Sequence, residues 1–239
     1  LKNKEEILKS GLLKYNIVPD DQILSSFLKY MELLIEKNKT INLTAINDPK
    51  EIIVEHFFDS LSVLKLNIIK PGMKMIDIGT GAGFPGLPIK IVMTDIETTL
   101  VDSSKKRVNF VRHVINTLGL KGTAVIHDRA EVLARDKEYR EQYDVVVSRA
   151  VAHTRVLCEY CLPFIKKGGF FLAYKGPGIN DEILFSENAI EMLGGELTGI
   201  KEVEVPFSKK TYNIVIIKKR KQTPDKYPRS SNKIKKSPL

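Results

Sequence analysis

No run of apolar residues in this 239-residue chain approaches the roughly 20 that a membrane-spanning helix needs. The opening residues, Leu1-Lys2-Asn3-Lys4-Glu5-Glu6, are polar and supply no signal-peptide core, so the chain reads as cytoplasmic. Its true start is open, because residue 1 is not methionine. Cysteine is scarce. Cys158 and Cys161 form one C-x-x-C pair inside an apolar helical pattern, Val156 to Leu162. A redox pair belongs at a helix N-terminus, and two thiolates are half of a zinc site with no second half nearby, so the pair reads as core. The four histidines, His56, His113, His127 and His153, show no metal-ligand spacing. No metal is expected, and no histidine is given a catalytic role. Negative charge is also short, with 29 Asp+Glu against 38 Lys+Arg and a net charge of +9. The excess sits at one end: Lys218 to Leu239 holds nine Lys/Arg and one Asp, or +8 of the +9. With Pro224, Pro228 and Pro238 and few apolar residues, this tail is not expected to pack a core. It reads as an arm for a polyanion, phosphate being the commonest, or as a solubilising end. A membrane surface fits less well, since no amphipathic apolar face accompanies the charge.

With 43% hydrophobic and 28% charged residues, the rest is an ordinary globular chain. It is organised around Met75-Ile76-Asp77-Ile78-Gly79-Thr80-Gly81-Ala82-Gly83-Phe84-Pro85-Gly86. A buried strand runs into a glycine turn, and an apolar helix follows, as at the start of a βαβ nucleotide-binding unit. Two readings fit. Gly81-x-Gly83-x-x-Gly86, with Asp102 about 20 residues on, matches the dinucleotide fingerprint. Asp77-x-Gly79-x-Gly81-x-Gly83 resembles the first motif of S-adenosylmethionine (SAM) methyltransferases. The second is favoured. The first glycine belongs directly after the strand, and that residue is Gly79. A carboxylate at Asp77 attracts the cationic groups of SAM and repels a pyrophosphate. Pro85 removes an N–H that a pyrophosphate would use.

Residues 1–66 read as a helical extension. Asp20 and Asp21 cap a helix with Ile23, Leu24, Phe27, Leu28, Met31, Leu34 and Ile35 on one face, a polar loop spans Asn38 to Thr44, and a second helix follows Pro49. From 67 to 219 strands alternate with helices. Strands are expected at Met75 to Ile78, Ile96 to Val101, Thr123 to His127, Asp144 to Ser148 and Phe170 to Tyr174. Helices are expected to about Met93, after Ser103 or Ser104, at Thr154 to Ile165 and at Asp181 to Leu193. Glu196 to Val205 and Tyr212 to Lys218 close as a hairpin, and 220–239 is the basic tail. The pattern predicts an α/β, Rossmann-like, doubly wound and mostly parallel seven-stranded sheet with its last strand antiparallel.

Ligands of such sheets bind at the carboxyl ends of the strands. Gly79 to Gly83, Asp102, Ala130-Glu131 and Arg149 all fall there. Asp102 is expected to accept from both ribose hydroxyls, or otherwise to cap a helix. Ala130-Glu131 lies where adenine should sit. Phe84 packs either on the methionine half of SAM or in the core. Arg149 ends an apolar strand and requires a partner; Asp77 and Asp102 are candidates, as is a cofactor carboxylate or substrate phosphate. Lys175 has the same two readings.

At this point the chain resembles the GidB (RsmG) family, which methylates guanine N7 in small-subunit (16S) ribosomal RNA. The resemblance rests on Asn42-Leu43-Thr44-Ala45-Ile46, His56-Phe57-Phe58-Asp59-Ser60-Leu61, the glycine run with its Phe84-Pro85-Gly86 extension, Val101-Asp102-Ser103, Arg129-Ala130-Glu131, Ser148-Arg149-Ala150-Val151, Thr223-Pro224 and Tyr227-Pro228-Arg229. It implies SAM as cofactor. Asp77, Gly79, Gly81, Phe84, Asp102, Ser103, Ser104, Ala130, Glu131 and Arg149 are then its contacts. Arg149, Lys175, Lys218, Lys219, Arg220, Lys221 and Arg229 are candidate RNA contacts. The implied partner is 16S rRNA or a small-subunit precursor, met by a monomer with no membrane involved. After Arg229 the family often has a glycine-containing run, whereas here stands Ser230-Ser231-Asn232-Lys233. No Asn/Asp-Pro-Pro-Tyr run and no Pro-Cys nucleophile occurs, which argues against adenine-amino and cytosine-C5 chemistry. No residue stands out as catalytic, which suits a target nitrogen that already carries its lone pair. Methylation of another RNA or of a small molecule is the alternative.

Overall fold

A computed structural model describes residues 2–149 and 152–239. The strands are β1 Lys74–Ile78, β2 Glu97–Asp102, β3 Thr123–His127, β4 Tyr143–Arg149, β5 Ile165–Lys175, β6 Gly195–Val203 and β7 Tyr212–Lys219. They form one seven-stranded sheet in the order β3-β2-β1-β4-β5-β7-β6. β1 to β5 run parallel, and β7 is antiparallel to both β5 and β6. The strand order reverses between β1 and β4, which opens a crevice at their carboxyl ends. Period-two alternation sends Ile76 and Ile78 to one face and Met75 to the other. Ile76 and Ile78 join a core built with the helix Thr154–Cys161 and the short helices Ile179–Leu184 and Glu187–Met192. Met75 packs on the opposite face with Ile89 of the helix Gly86–Val92. Cys158 and Cys161 are free and buried in the core, as read from their apolar surroundings, and burial pushes the Cys158 thiol up to about 12. No described helix is long and apolar enough to cross a membrane.

The N-terminal residues close over the glycine loop. The helix Asp21–Asn38 starts at Asp20, whose carboxylate accepts from the Ile23 amide at 2.7 Å. Its apolar face shares a core with Leu87, Leu100 and Phe110 of the sheet body. Asn38 ties the following loop, its Oδ1 accepting from the amides of Leu43 at 2.8 Å and Thr44 at 3.0 Å. Pro49–Glu51 then begins a helical run that widens into a π-helical segment, Ile52–Phe58, before Asp59–Leu61. A π turn shifts the phase of the side chains that follow, and such turns gather at functional sites.

Three expectations need correction. The helix expected over Thr154 to Ile165 stops at Cys161, because Pro163 cannot donate; a 3-10 turn, Leu162–Phe164, leads into a longer β5 that absorbs Gly168 and Gly169. The helix expected over Asp181 to Leu193 is two, broken where the Ser186 hydroxyl donates to the Glu182 carbonyl at 2.6 Å. The tail, expected to stay out of the core, is packed into it. Tyr227 and the fully buried Ile234 join the same core as Cys158, and Ser231–Lys236 is helical. Its proline and charge content hid two apolar anchors and a set of internal ion pairs.

Candidate active site

The carboxyl ends of β1, β2, β3 and β4 border one cleft of about 760 Å³. Of the residues singled out from sequence, Gly79, Gly81, Phe84, Asp102, Ser103, Ala130, Glu131 and Arg149 line it. Ser104 lies one step behind, its amide donating to Asp102 Oδ1 at 2.8 Å. The other Asp102 oxygen accepts from the Gly81 amide at 2.9 Å, so this carboxylate fastens the glycine loop to the end of β2. Each oxygen retains a lone pair for a ribose hydroxyl.

Asp77 is a correction. It is fully buried beneath the loop, not in the cleft wall. Its Oδ2 accepts from the Thr80 hydroxyl at 2.7 Å and the Gly86 amide at 2.9 Å, which pins both ends of the turn. Burial pushes its carboxyl up to about 7, against the pull of those two donors and of Arg149. Asp77 therefore shapes the loop from inside and makes no direct contact with the cleft.

Arg149 is paired, but with neither Asp77 nor Asp102. One guanidinium nitrogen donates to Asp59 Oδ2 at 2.6 Å and to the Glu55 carbonyl at 3.1 Å. The other stands 3.2 Å from His56 Nδ1, and the guanidinium lies 5.0 Å over the Phe84 ring. Its partners come from the π-helical turn and the residue just after it, about 90 residues earlier, beyond the reach of local pattern. The next two residues of that motif, Ala150 and Val151, lie outside the described residues.

The cleft also gathers residues given no site role from sequence: Leu43 and Thr44 from the Asn-Leu-Thr segment, and His56. His56 stacks on Phe84 with centroids 4.6 Å apart, and its Nε2 meets the Thr44 hydroxyl at 2.7 Å. Burial, and then the Arg149 charge, push its pKa down to about 3, so the imidazole is neutral at physiological pH. Phe84 is only 6% exposed and stacks on Tyr30 at 5.4 Å, so it serves the core and the cleft wall together. The Tyr30 hydroxyl donates to the Ala82 carbonyl at 2.6 Å, propping the loop from the N-terminal helices. The two Tyr30 contacts span more than 50 residues. The quoted segments flagged Thr44 and His56 as patterns; only the fold shows them meeting.

Several cations proposed for RNA are spent internally. Lys175 Nζ donates to Glu182 at 2.6 Å and to the Ala152 carbonyl at 2.7 Å. Lys219 is fully buried against the Leu162 carbonyl, 3.3 Å from Glu141. Arg229 makes a bidentate pair with the buried Glu159, at 2.9 and 2.7 Å. Arg220 pairs with Glu196 on the surface at 2.6 Å. Lys218 and Lys221 reach solvent on the β6–β7 side, and of this set only Arg149 lines the cleft. Among the described residues no cluster of three or more His, Cys, Asp or Glu is placed to hold a metal.

The residues present fit a nucleoside-bearing ligand. A Cβ placed on Gly81 would meet nothing nearer than the Gly79 carbonyl at 4.0 Å, so its φ of +60° leaves open space above the loop. The family description "rRNA small subunit methyltransferase G", GidB, matches residues 23–213. The chain is 47% identical over 235 residues to a ribosomal RNA small subunit methyltransferase G of Alkaliphilus oremlandii, covering 98% of both chains. It is 52% identical over 214 residues to one of Desulforamulus reducens, covering 90% of this chain and 89% of the relative. The chain belongs to the GidB family. It is accordingly a SAM-dependent methyltransferase. Among solved structures, a SAM-dependent methyltransferase from Aquifex aeolicus shares the fold with a TM-score of 0.52 at 21% identity, covering 77% of this chain and 97% of that one. TrmN from Thermus thermophilus does so with a TM-score of 0.53 at 18% identity, covering 67% and 48%. In the GidB chain N-terminal helices pack on that sheet, and they hold two residues of the cleft wall, Phe84 and Arg149.

Proposed function

We propose that this enzyme transfers the methyl group of SAM to N7 of a guanine in small-subunit (16S) ribosomal RNA. The observation that carries the reading is a family match over nearly the whole chain, joined to a cleft whose enclosed histidine is neutral and already bonded. SAM, when bound, supplies a methyl group on a sulfonium. Gly79 and Gly81, without side chains, would let its methionine end lie against the loop backbone, and Asp102 and Ser103 would take the ribose. Ala130 and Glu131 border the adenine. Phe84, His56 and Arg149 form the wall at the other end, where the target base enters. N7 brings its own lone pair, so the protein's task is to orient the base and exclude water.

Two results test this. Methyl-labelled SAM should label 16S rRNA, with the label mapping to a guanine N7; label in a small molecule or another RNA would favour the alternative. Asp102→Ala should weaken SAM binding roughly ten- to a hundred-fold, the worth of about 1.5–3 kcal/mol for a hydrogen bond to a charged group. It also frees the Gly81 amide, so the upper part of that range is expected. Calorimetric affinity unchanged in a folded variant removes Asp102 from the site.

The chemical step should need no general base. With SAM and RNA saturating, single-turnover methylation should stay nearly flat from about pH 6 to 8.5. His56, held near 3, is neutral throughout. Asp77 titrates near 7 but is enclosed under the loop, so Asp77→Asn, which keeps an acceptor for Thr80 and Gly86, should leave the profile unchanged. A tenfold loss per pH unit on the acid side that one substitution abolishes would identify a base and overturn this mechanism.

A further inference from the structure

The C-terminal helix Ser231–Lys236 is part of the wall of the cleft. Ser231 and Lys235 line the same space as Gly79, Asp102 and Ala130. Nothing in the composition of the tail announces this, and a polyanion arm would keep its cations free. Here one of them, Arg229, fastens the tail to the body. The Arg229 amide donates to Glu159 Oε1 at 2.7 Å, besides the two guanidinium bonds to that carboxylate, which has no exposure. From the body, Arg140 donates to the carbonyls of Thr223 at 2.7 Å and Tyr227 at 2.9 Å, and Arg135 donates to that of Pro228. Glu141 accepts from the Thr223 amide at 2.8 Å. Ile234, fully buried, seats the helix against the body, and the Ser231 hydroxyl stands 3.3 Å from that of Tyr160.

The position decides what the wall can recognise. Ser231, Tyr160 and Val156 share the cleft with Ala130 and Glu131, at the β3 side of the sheet. A purine lying there has Ala130 and Val156 as apolar surface for its face. Its edge carries ring-nitrogen acceptors and one amino donor. Lys235 offers an ammonium that donates to a ring nitrogen, and the Ser231 hydroxyl can donate or accept. Lys235 is exposed at the mouth, so its carbon stem is free to lie along the rim.

We infer that the C-terminal helix closes over the adenine of the methyl donor, so that Ser231 and Lys235 are cofactor-binding residues and the tail is a cofactor wall. This deepens the SAM reading and rests on it. The experiment uses S-adenosylhomocysteine as probe on the full chain, on Lys235→Ala, on Ser231→Ala and on a chain ending after Arg229, which keeps the Glu159 pair. Asp102→Ala serves as the reference for the rest of the site. Calorimetric affinity should fall roughly tenfold in the shortened chain and about two- to tenfold in each point variant, the range of one hydrogen bond. Amide exchange of 231–237 in the full chain should slow when the probe is added. Should the shortened chain melt at a lower temperature without ligand, the point variants and the exchange data decide alone. If the full chain binds and Asp102→Ala weakens binding, while the tail variants bind as tightly as wild type and exchange is unmoved, the wall is refuted. If the full chain itself fails to bind, it is the SAM assignment that falls.

Discussion

Arg149→Ala is expected to lower the stability of the protein by about 3–5 kcal/mol, the usual result of removing one partner from an enclosed ion pair. The reason lies in what stays behind. Asp59 is 6% exposed, and burial already raises its carboxyl pKa against the pull of Arg149. Without the guanidinium that carboxylate has lost its ionic partner, and its folded pKa rises further above the unfolded value. A group raised in this way binds its proton more tightly in the native state. Its contribution is largest at low pH and is lost as pH rises through the folded pKa. The deficit of the variant relative to wild type should therefore be smaller at pH 5.5 than at pH 8. Adding Asp59→Asn should recover part of the loss, and a double-mutant cycle should give a coupling above about 0.5 kcal/mol. Denaturant unfolding at the two pH values checks both points; an equal deficit at each would show that Asp59 is not the orphan. Methyl transfer should fall as well, because Arg149 also covers Phe84 and abuts His56 in the cleft.

The second large effect is expected at Gly83. Its φ is +108°, and an added Cβ would sit 2.5 Å from Leu87 Cδ1 and 2.6 Å from the Tyr30 hydroxyl. Gly83→Ala thus combines backbone strain of about 1–3 kcal/mol with overpacking of about 1–3 kcal/mol. Tyr30 cannot retreat without breaking its bond to the Ala82 carbonyl. SAM binding should become undetectable by calorimetry while the circular dichroism of the sheet persists at low temperature. Gly72→Ala is the control: φ is +79° but nothing lies within 4 Å, so only the strain remains and SAM affinity should be unchanged. Equal effects at the two positions would mean that the packing around Tyr30 and Leu87 does not matter.

The sheet was legible because its signals are local. Met75 to Ile78 before Gly79, and Val145-Val146-Val147 between polar turns, announce buried strands by run length alone. Asp102 was legible for the same reason, standing at a strand end a fixed distance past the glycines. What stayed hidden depends on pairs distant in sequence. The partner of Arg149 is 90 residues away, and no periodicity links them. Asp77 was assigned the cleft because a strand-end carboxylate beside a glycine loop looks available. Period two does place it off the Ile76–Ile78 face, but whether it points up to ligand or down to Thr80 is a matter of the turn's three-dimensional path. The tail was misread because charge counts do not say which charges are paired. Glu141 and Glu159 lie 78 and 70 residues before the cations they hold.

The reversal of β7 has a kinetic corollary. A parallel strand would have delivered residue 220 to the cleft, but the antiparallel one delivers it to the opposite pole of the sheet. Residues 220–230 must then climb the height of the sheet, past Glu141, Arg140 and Glu159, before Ser231 arrives at the opening. The helices and the β1–β2 pairing can nucleate from near neighbours, whereas this last leg joins segments 70 to 93 residues apart. Closures of that span pay their entropy before any contact rewards them. The sheet should thus acquire its protected amides early on the folding route, while the opening of the cleft takes its final outline only as the strap docks.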